Sequence, residues 1–155
     1  MAVGSKDIEK WIAGRIAKVN KKTGKAICPF AKRVLQNNAI QISVAKDDVL
    51  DQVKHCCSLF DIFNLDIVIL YFDRKISERQ LKMLCRVGHD NNKEFAVMYD
   101  HPKNNGKHKG VSFSYGKAPL IFIQKLDKLK KAQRQLEKSG YYEAWGLTPN
   151  DAMFF

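Results

Sequence analysis

The sequence predicts a single layered α/β domain over residues 1–155. A central, mostly parallel sheet with a β-α-β-α-β core is expected, flanked by an N-terminal amphipathic helix and a C-terminal basic helix. Three observations carry this. Residues 65–72 (Leu-Asp-Ile-Val-Ile-Leu-Tyr-Phe) form a nearly continuous β-branched and aromatic run, which marks a strand covered on both faces. Strand-like and helix-like patterns alternate along the middle of the chain, which calls for parallel strands joined by crossovers. Finally, 155 residues that are 45% hydrophobic can bury a core as one domain.

Residues 6–19 have the period of an amphipathic helix, with Ile8, Trp11, Ile12, Ile16 and Val19 on one stripe. A polar, glycine-containing loop over 20–26 follows. Pro29 suits the first position of a helix, because its missing N–H has no intrahelical partner there. A short helix over 29–37 with Cys28 as its N-cap is therefore expected. Residues 39–45 alternate strictly and predict a strand with one polar face. Asp47-Asp48 start a helix to about Phe60, with Leu50, Val53, Cys57 and Phe60 inward. Ser77 and Gln80 have capping-box spacing and open a helix to about Val87. Residues 94–99 predict a third strand, and 100–110 a loop. Residues 111–123 admit two readings, a hairpin of 111–115 with 120–123, or a helix opened by Pro119. Either way 125–138 is helical and Gly140 ends it. The aromatic tail 141–155 (Tyr141, Tyr142, Trp145, Phe154, Phe155) is expected to pack back on a core of 6–140.

The formal charge of +11 is unevenly spread. Residues 1–33 carry 9 Lys/Arg against 2 acids, 34–100 carry 8 against 10, and 101–140 carry 10 against 2. Brought together, the two basic segments make a positive face that attracts phosphates, nucleic acid or an acidic protein; held apart, they are ordinary solvated surface. The basic-face residues are Lys125, Lys128, Lys131 and Arg134. No apolar run approaches the ~20 residues of a membrane span. The N-terminus lacks the basic-then-apolar pattern of an export signal, so a cytoplasmic protein without a membrane partner is expected. Four cysteines (Cys28, Cys56, Cys57, Cys85) without CxxC spacing predict neither a disulfide framework nor a zinc site, and no cofactor motif is read.

Two places stand out for chemistry. Cys28 precedes Pro29 at an expected helix start, with Lys25, Lys32 and Arg33 nearby, and such surroundings lower a thiol pKa. The alternative is a small buried side chain kept for packing. The second place is the loop after the third strand. Ligands of open α/β sheets bind beyond the carboxyl ends of the strands. Lys103, Lys107, His108, Lys109 and Lys117 there form a candidate anion or phosphate site among glycines, the alternative being a mobile basic loop. His101 is a candidate base or partner for Cys28, and Asp73, following the second strand, a candidate to orient it.

The Trp11 helix, the Ile27-Cys28-Pro29-Phe30-Ala31 block, Tyr99-Asp100-His101-Pro102 and Ala118-Pro119-Leu120 together resemble an uncharacterised bacterial domain family. That family is marked by a Trp helix, an L-C-P-F-A motif and a later F-H-P motif. The resemblance covers roughly 7–135 and implies a fold and two positions, Cys28 and His101, but no reaction. Cys28-Pro29-Phe30-Ala31 also resembles a glutaredoxin active-site start, with Ala31 where a resolving cysteine would stand and Ala118-Pro119 like the facing proline-led strand. It implies a thiol-redox role. The sequence admits three functions: a binder of an anionic or phosphate-bearing ligand near Cys28 and the basic loop, a non-enzymatic binder of nucleic acid or acidic protein, and a thiol-redox protein.

Overall fold

In the computed structural model the described residues are 3–104 and 106–148. Their centre is a four-stranded mixed sheet in the order β1-β2-β6-β3. Strands β1 (Ile40–Val44) and β2 (Ile67–Tyr71) pair in parallel, Ile42 opposite Ile69. Strand β6 (Leu120–Lys125) runs antiparallel to both β2 and β3 (Phe95–Asp100), with Phe122 opposite Ile69 and Met98. β1, β2 and β3 thus run in one direction, but the expected, mostly parallel sheet is a mixed one: only β1 and β2 pair in parallel, and a reversed strand inserted between the second and third makes the other two pairings antiparallel.

That insertion corrects both readings of 111–123. Leu120–Ile123 is a strand, but it pairs with β2 and β3, and Pro119 precedes it without opening a helix. Four successive buried apolar side chains explain its central place, because such a run has two faces to cover. Segment 107–112 makes its own small hairpin, β4 (Lys107–His108) with β5 (Val111–Ser112). Lys109 and Gly110, with φ of 52° and 77°, form its turn. Positive φ at both central positions matches the right-handed twist of a two-residue hairpin.

Side-chain alternation along the strands builds two cores on the two faces. Val68, Leu70, Ile121 and Ile123 face α3 (Val49–Phe63) and α4 (Glu78–Asn91), together with Val53, Phe60 and Leu81. Asp48 caps α3 by accepting the Asp51 N–H, and Ser77 with Gln80 makes a reciprocal capping box on α4. Ile67, Ile69, Leu120 and Phe122 face the other way, toward α1 (Ser5–Trp11), α2 (Ala31–Gln36), α5 (Leu126–Lys138) and α6 (Tyr141–Trp145).

Helix α1 continues as a π-helical segment, Ile12–Ile16. Ile8, Ile12 and Ile16 repeat every four residues, a spacing that drifts around an α-helix of 3.6 residues per turn. The wider π turn returns Ile16 to the buried face. The helix expected over 29–37 is shorter, and Phe30, not Cys28, is its N-cap. Cys28 and Pro29 lie in the preceding turn, where the Cys28 carbonyl accepts the Ala31 N–H at 3.2 Å. Gly140 (φ 75°) turns the chain from α5 into α6, burying Tyr141, Tyr142 and Trp145 in the first core. Phe154 and Phe155 lie outside the described residues. Among the described residues no helix is long and apolar enough to cross a membrane.

Candidate functional site

The carboxyl ends of β2 and β3 open into a groove of about 580 Å³. Three segments line it: Phe72–Ser77 between β2 and α4, His101–Lys103 after β3, and Lys117–Pro119 leading into β6, with Val3 at one side. They meet because the reversed β6 begins where β2 and β3 end. The Phe72 N–H donates to the Pro119 carbonyl at 3.0 Å, and Asp100 pairs with Leu120. Arg74, Lys75, Lys103 and Lys117 stand exposed around this groove, and among the described residues that line it Asp73 is the one acid. The Arg74 guanidinium is committed to the fold, donating to the Ala45 and Lys46 carbonyls at 2.8 and 2.7 Å. Ser77, the N-cap of the 14-residue α4, also lines the groove, which adds the positive end of a helix.

His101 forms one wall and is 6% exposed. Its Nδ1 accepts the Lys103 backbone N–H at 3.1 Å, so the ring proton sits on Nε2, which donates to the Ile76 carbonyl at 2.8 Å. Both nitrogens are occupied by backbone groups. Asp73 does not orient the ring, and no lone pair is left over for general-base work in this arrangement. The imidazole ties the loop before α4 to the loop after β3.

The neighbouring Asp100 is fully buried. Its Oδ1 accepts from the Ser114 hydroxyl at 2.8 Å and its Oδ2 from the Tyr115 N–H at 2.7 Å. Burial pushes this carboxyl up from its ordinary value, and the Tyr115 and Ser114 donors only partly offset that. Asp100 thus fixes the return of the chain from the hairpin, which places Lys117 at the groove.

Cys28 does not share this site. It is 2% exposed in the core facing α1, α2 and α6, and its N–H donates to the Ile16 carbonyl at 2.9 Å. The Tyr141 hydroxyl donates to the neighbouring Ile27 carbonyl. Burial pushes the thiol up to about 12, against the smaller opposing pull of the Phe30 and Ala31 backbone N–H groups. The favourable amide donors expected at a helix start are present; loss of water outweighs them. Cys85 and the partly exposed Cys57 are likewise pushed up to about 12, chiefly by burial. Among the described residues no group of three or more His, Cys, Asp and Glu is placed to hold a metal ion.

The five candidate anion ligands divide. Lys103 and Lys117 line the groove; Lys107, His108 and Lys109 belong to the hairpin and do not. The His108 ring stands edge-on to Phe113, centroids 4.9 Å apart, and Phe113 stands edge-on to Trp145. The hairpin is thereby packed against α6. On the basic face, Lys125 pairs with Asp61 and Lys128 with Asp66, while Lys131 and Arg134 are exposed. Lys75 escaped sequence reasoning, although Asp73-Arg74-Lys75 directly follows a strand and so sits at a carboxyl edge. No family model, curated protein or solved structure matches the chain.

Proposed function

We propose that the protein binds a small anionic ligand of the phosphate-bearing class in the groove between residues 72–77, 101–103 and 117–119. The observation that carries this is the convergence of Lys75, Lys103 and Lys117 on one concave edge beside the N-terminus of α4. Ammonium groups and helix-end N–H groups are the complement of a phosphate. Asp73 at the mouth limits the charge the groove accepts and disfavours bulky polyanions. The reading is of binding rather than covalent chemistry. Ser77 is engaged with Gln80 through both donor and acceptor contacts, and His101 is held at both nitrogens.

Backbone amide shifts followed by NMR during titration with inorganic phosphate test this. Shifts confined to 74–77, 103 and 116–118 are expected, weakening steeply with salt. The double variant Lys103→Ala/Lys117→Ala is expected to weaken binding by about tenfold or more, since charge-assisted contacts are worth about 1.5–3 kcal/mol each. Titration that leaves these amides unmoved, or an undiminished affinity in the double variant, would remove the reading.

A further inference from the structure

A second pocket, of about 290 Å³, lies on the other face of the sheet between α2 and α5. Phe30, Arg33 and Val34 form one wall, Leu129 and Lys131 the other, and Gln124 of β6 lines it from the sheet. Gln124 is the anomaly. It follows four buried apolar residues, is itself 2% exposed, and its Oε1 has no hydrogen-bond partner among the described residues. A buried carbonyl oxygen left unpaired destabilises a fold, and a leucine would fill such a position without that cost. A group retained against stability points to something outside the chain that completes it.

The surroundings define that partner. A carboxamide presents an acceptor beside a donor, the complement of a nucleobase edge. The Phe30 ring, with the Arg33 guanidinium over it at 5.7 Å, offers a flat apolar and cationic wall suited to stacking. Lys131, exposed at the mouth, has no acidic partner among the described residues, while Lys128 is held by Asp66 at 3.1 Å. The volume is close to the ~300 Å³ lower bound of small-ligand clefts, enough for one base and its sugar.

We infer that this pocket binds a nucleoside phosphate, its base edge on Gln124, its ring against Phe30 and its phosphate at Arg33 and Lys131. The site is separate from the groove beyond β2 and β3 and does not depend on it.

The full chain titrated with AMP, GMP, CMP and UMP, with ribose 5-phosphate as the base-free control, tests this by calorimetry and amide shifts. At least one nucleotide is expected to shift Phe30, Gln124 and Lys131 and to bind at least about tenfold more tightly than ribose 5-phosphate. Gln124→Leu is expected to move two readouts in opposite directions. Affinity falls about tenfold, while Tm rises by about 2–4 °C because the unpaired carbonyl oxygen is gone. Lys131→Glu, an exposed change, is expected to weaken binding several-fold with Tm unchanged. The proposal is overturned if no nucleotide binds at millimolar concentration, if ribose 5-phosphate binds equally well, or if Gln124→Leu keeps full affinity. Nucleotide binding lost in Lys103→Ala/Lys117→Ala and kept in Gln124→Leu would assign the ligand to the groove and likewise overturn it.

Discussion

Cys28 and Asp100 show how burial decides the chemistry of a single side chain. With its pKa at about 12, the Cys28 thiol is thiolate to only on the order of one part in ten thousand at pH 8. Native protein should therefore label at Cys28 with a thiol reagent only on the timescale of unfolding, whereas denatured protein labels at once; fast native labelling there would contradict its burial. Asp100 yields a sharper pair of variants. Asp100→Ala strands the Tyr115 N–H and Ser114, and is expected to cost about 1–3 kcal/mol by urea unfolding. Asp100→Asn keeps both contacts, its carbonyl accepting from Tyr115 and its amide donating to the Ser114 hydroxyl, and should stay within about 1 kcal/mol of the parent. The folded carboxyl titrates above its unfolded value, so the native state holds the extra proton. Stability from this group is present below the ordinary aspartate value and declines as pH rises toward the folded value. Relative to Asp100→Asn, the parent should accordingly lose stability with rising pH across that window and stay level above it. A difference that grows in the opposite direction would show that the carboxylate, not the acid, is the favoured form.

At the scale of elements, local pattern made most of the fold legible. The capping residues Asp48 and Ser77 specify where α3 and α4 start, though both helices run on past the expected Phe60 and Val87 to Phe63 and Asn91, and the alternation over 39–45 and the apolar run over 65–72 specify β1 and β2 close to their observed limits. The partner of β6 was not legible, because a run buried on both faces does not say which strands flank it. Pairing of 120–125 with 67–71 and 95–100 is a long-range choice fixed by competition for the sheet centre. The site followed the same rule. Asp73, His101 and Lys103 could be placed at one edge from strand direction alone, whereas Lys117 reaches it only through the reversed β6. The exclusion of Cys28 could not, since it depends on α6 closing over residues 26–28, where Trp145 donates to the Ala26 carbonyl. Central β2 and β6 are buried and paired on both sides, while β1 and β3 are edges. Amide exchange should be slowest in 68–70 and 121–123 and faster by at least about tenfold in 41–43. Equal protection of β1 and β6 would contradict the sheet order.

For the whole molecule, charge and sheet direction together set the functional reading. The two basic segments meet around α5, where Lys25 donates to the Ser139 carbonyl and Arg33 lines one pocket with Lys131, while Asp61 and Asp66 pair with two of the lysines there. One cationic groove sits at the carboxyl edge of the sheet, and one smaller pocket lies between α2 and α5. The groove exists because β6 is reversed, which brings the segment before it to the ends of β2 and β3. Weakening the anchor at Asp100 should therefore loosen the ligand as well as the fold. Asp100→Ala is expected to lower phosphate affinity several-fold even under conditions where it remains fully folded.

The phosphate titration bears most directly on whether the cationic groove at the carboxyl edge of the sheet is a binding site. Chemical-shift changes confined to residues 74–77, 103 and 116–118, needing about tenfold or more phosphate in Lys103→Ala/Lys117→Ala, are the predicted result. Shifts spread over the lysines of 1–33 and 125–138 with the groove unmoved would contradict it, and would mark the positive charge as a diffuse surface rather than a site.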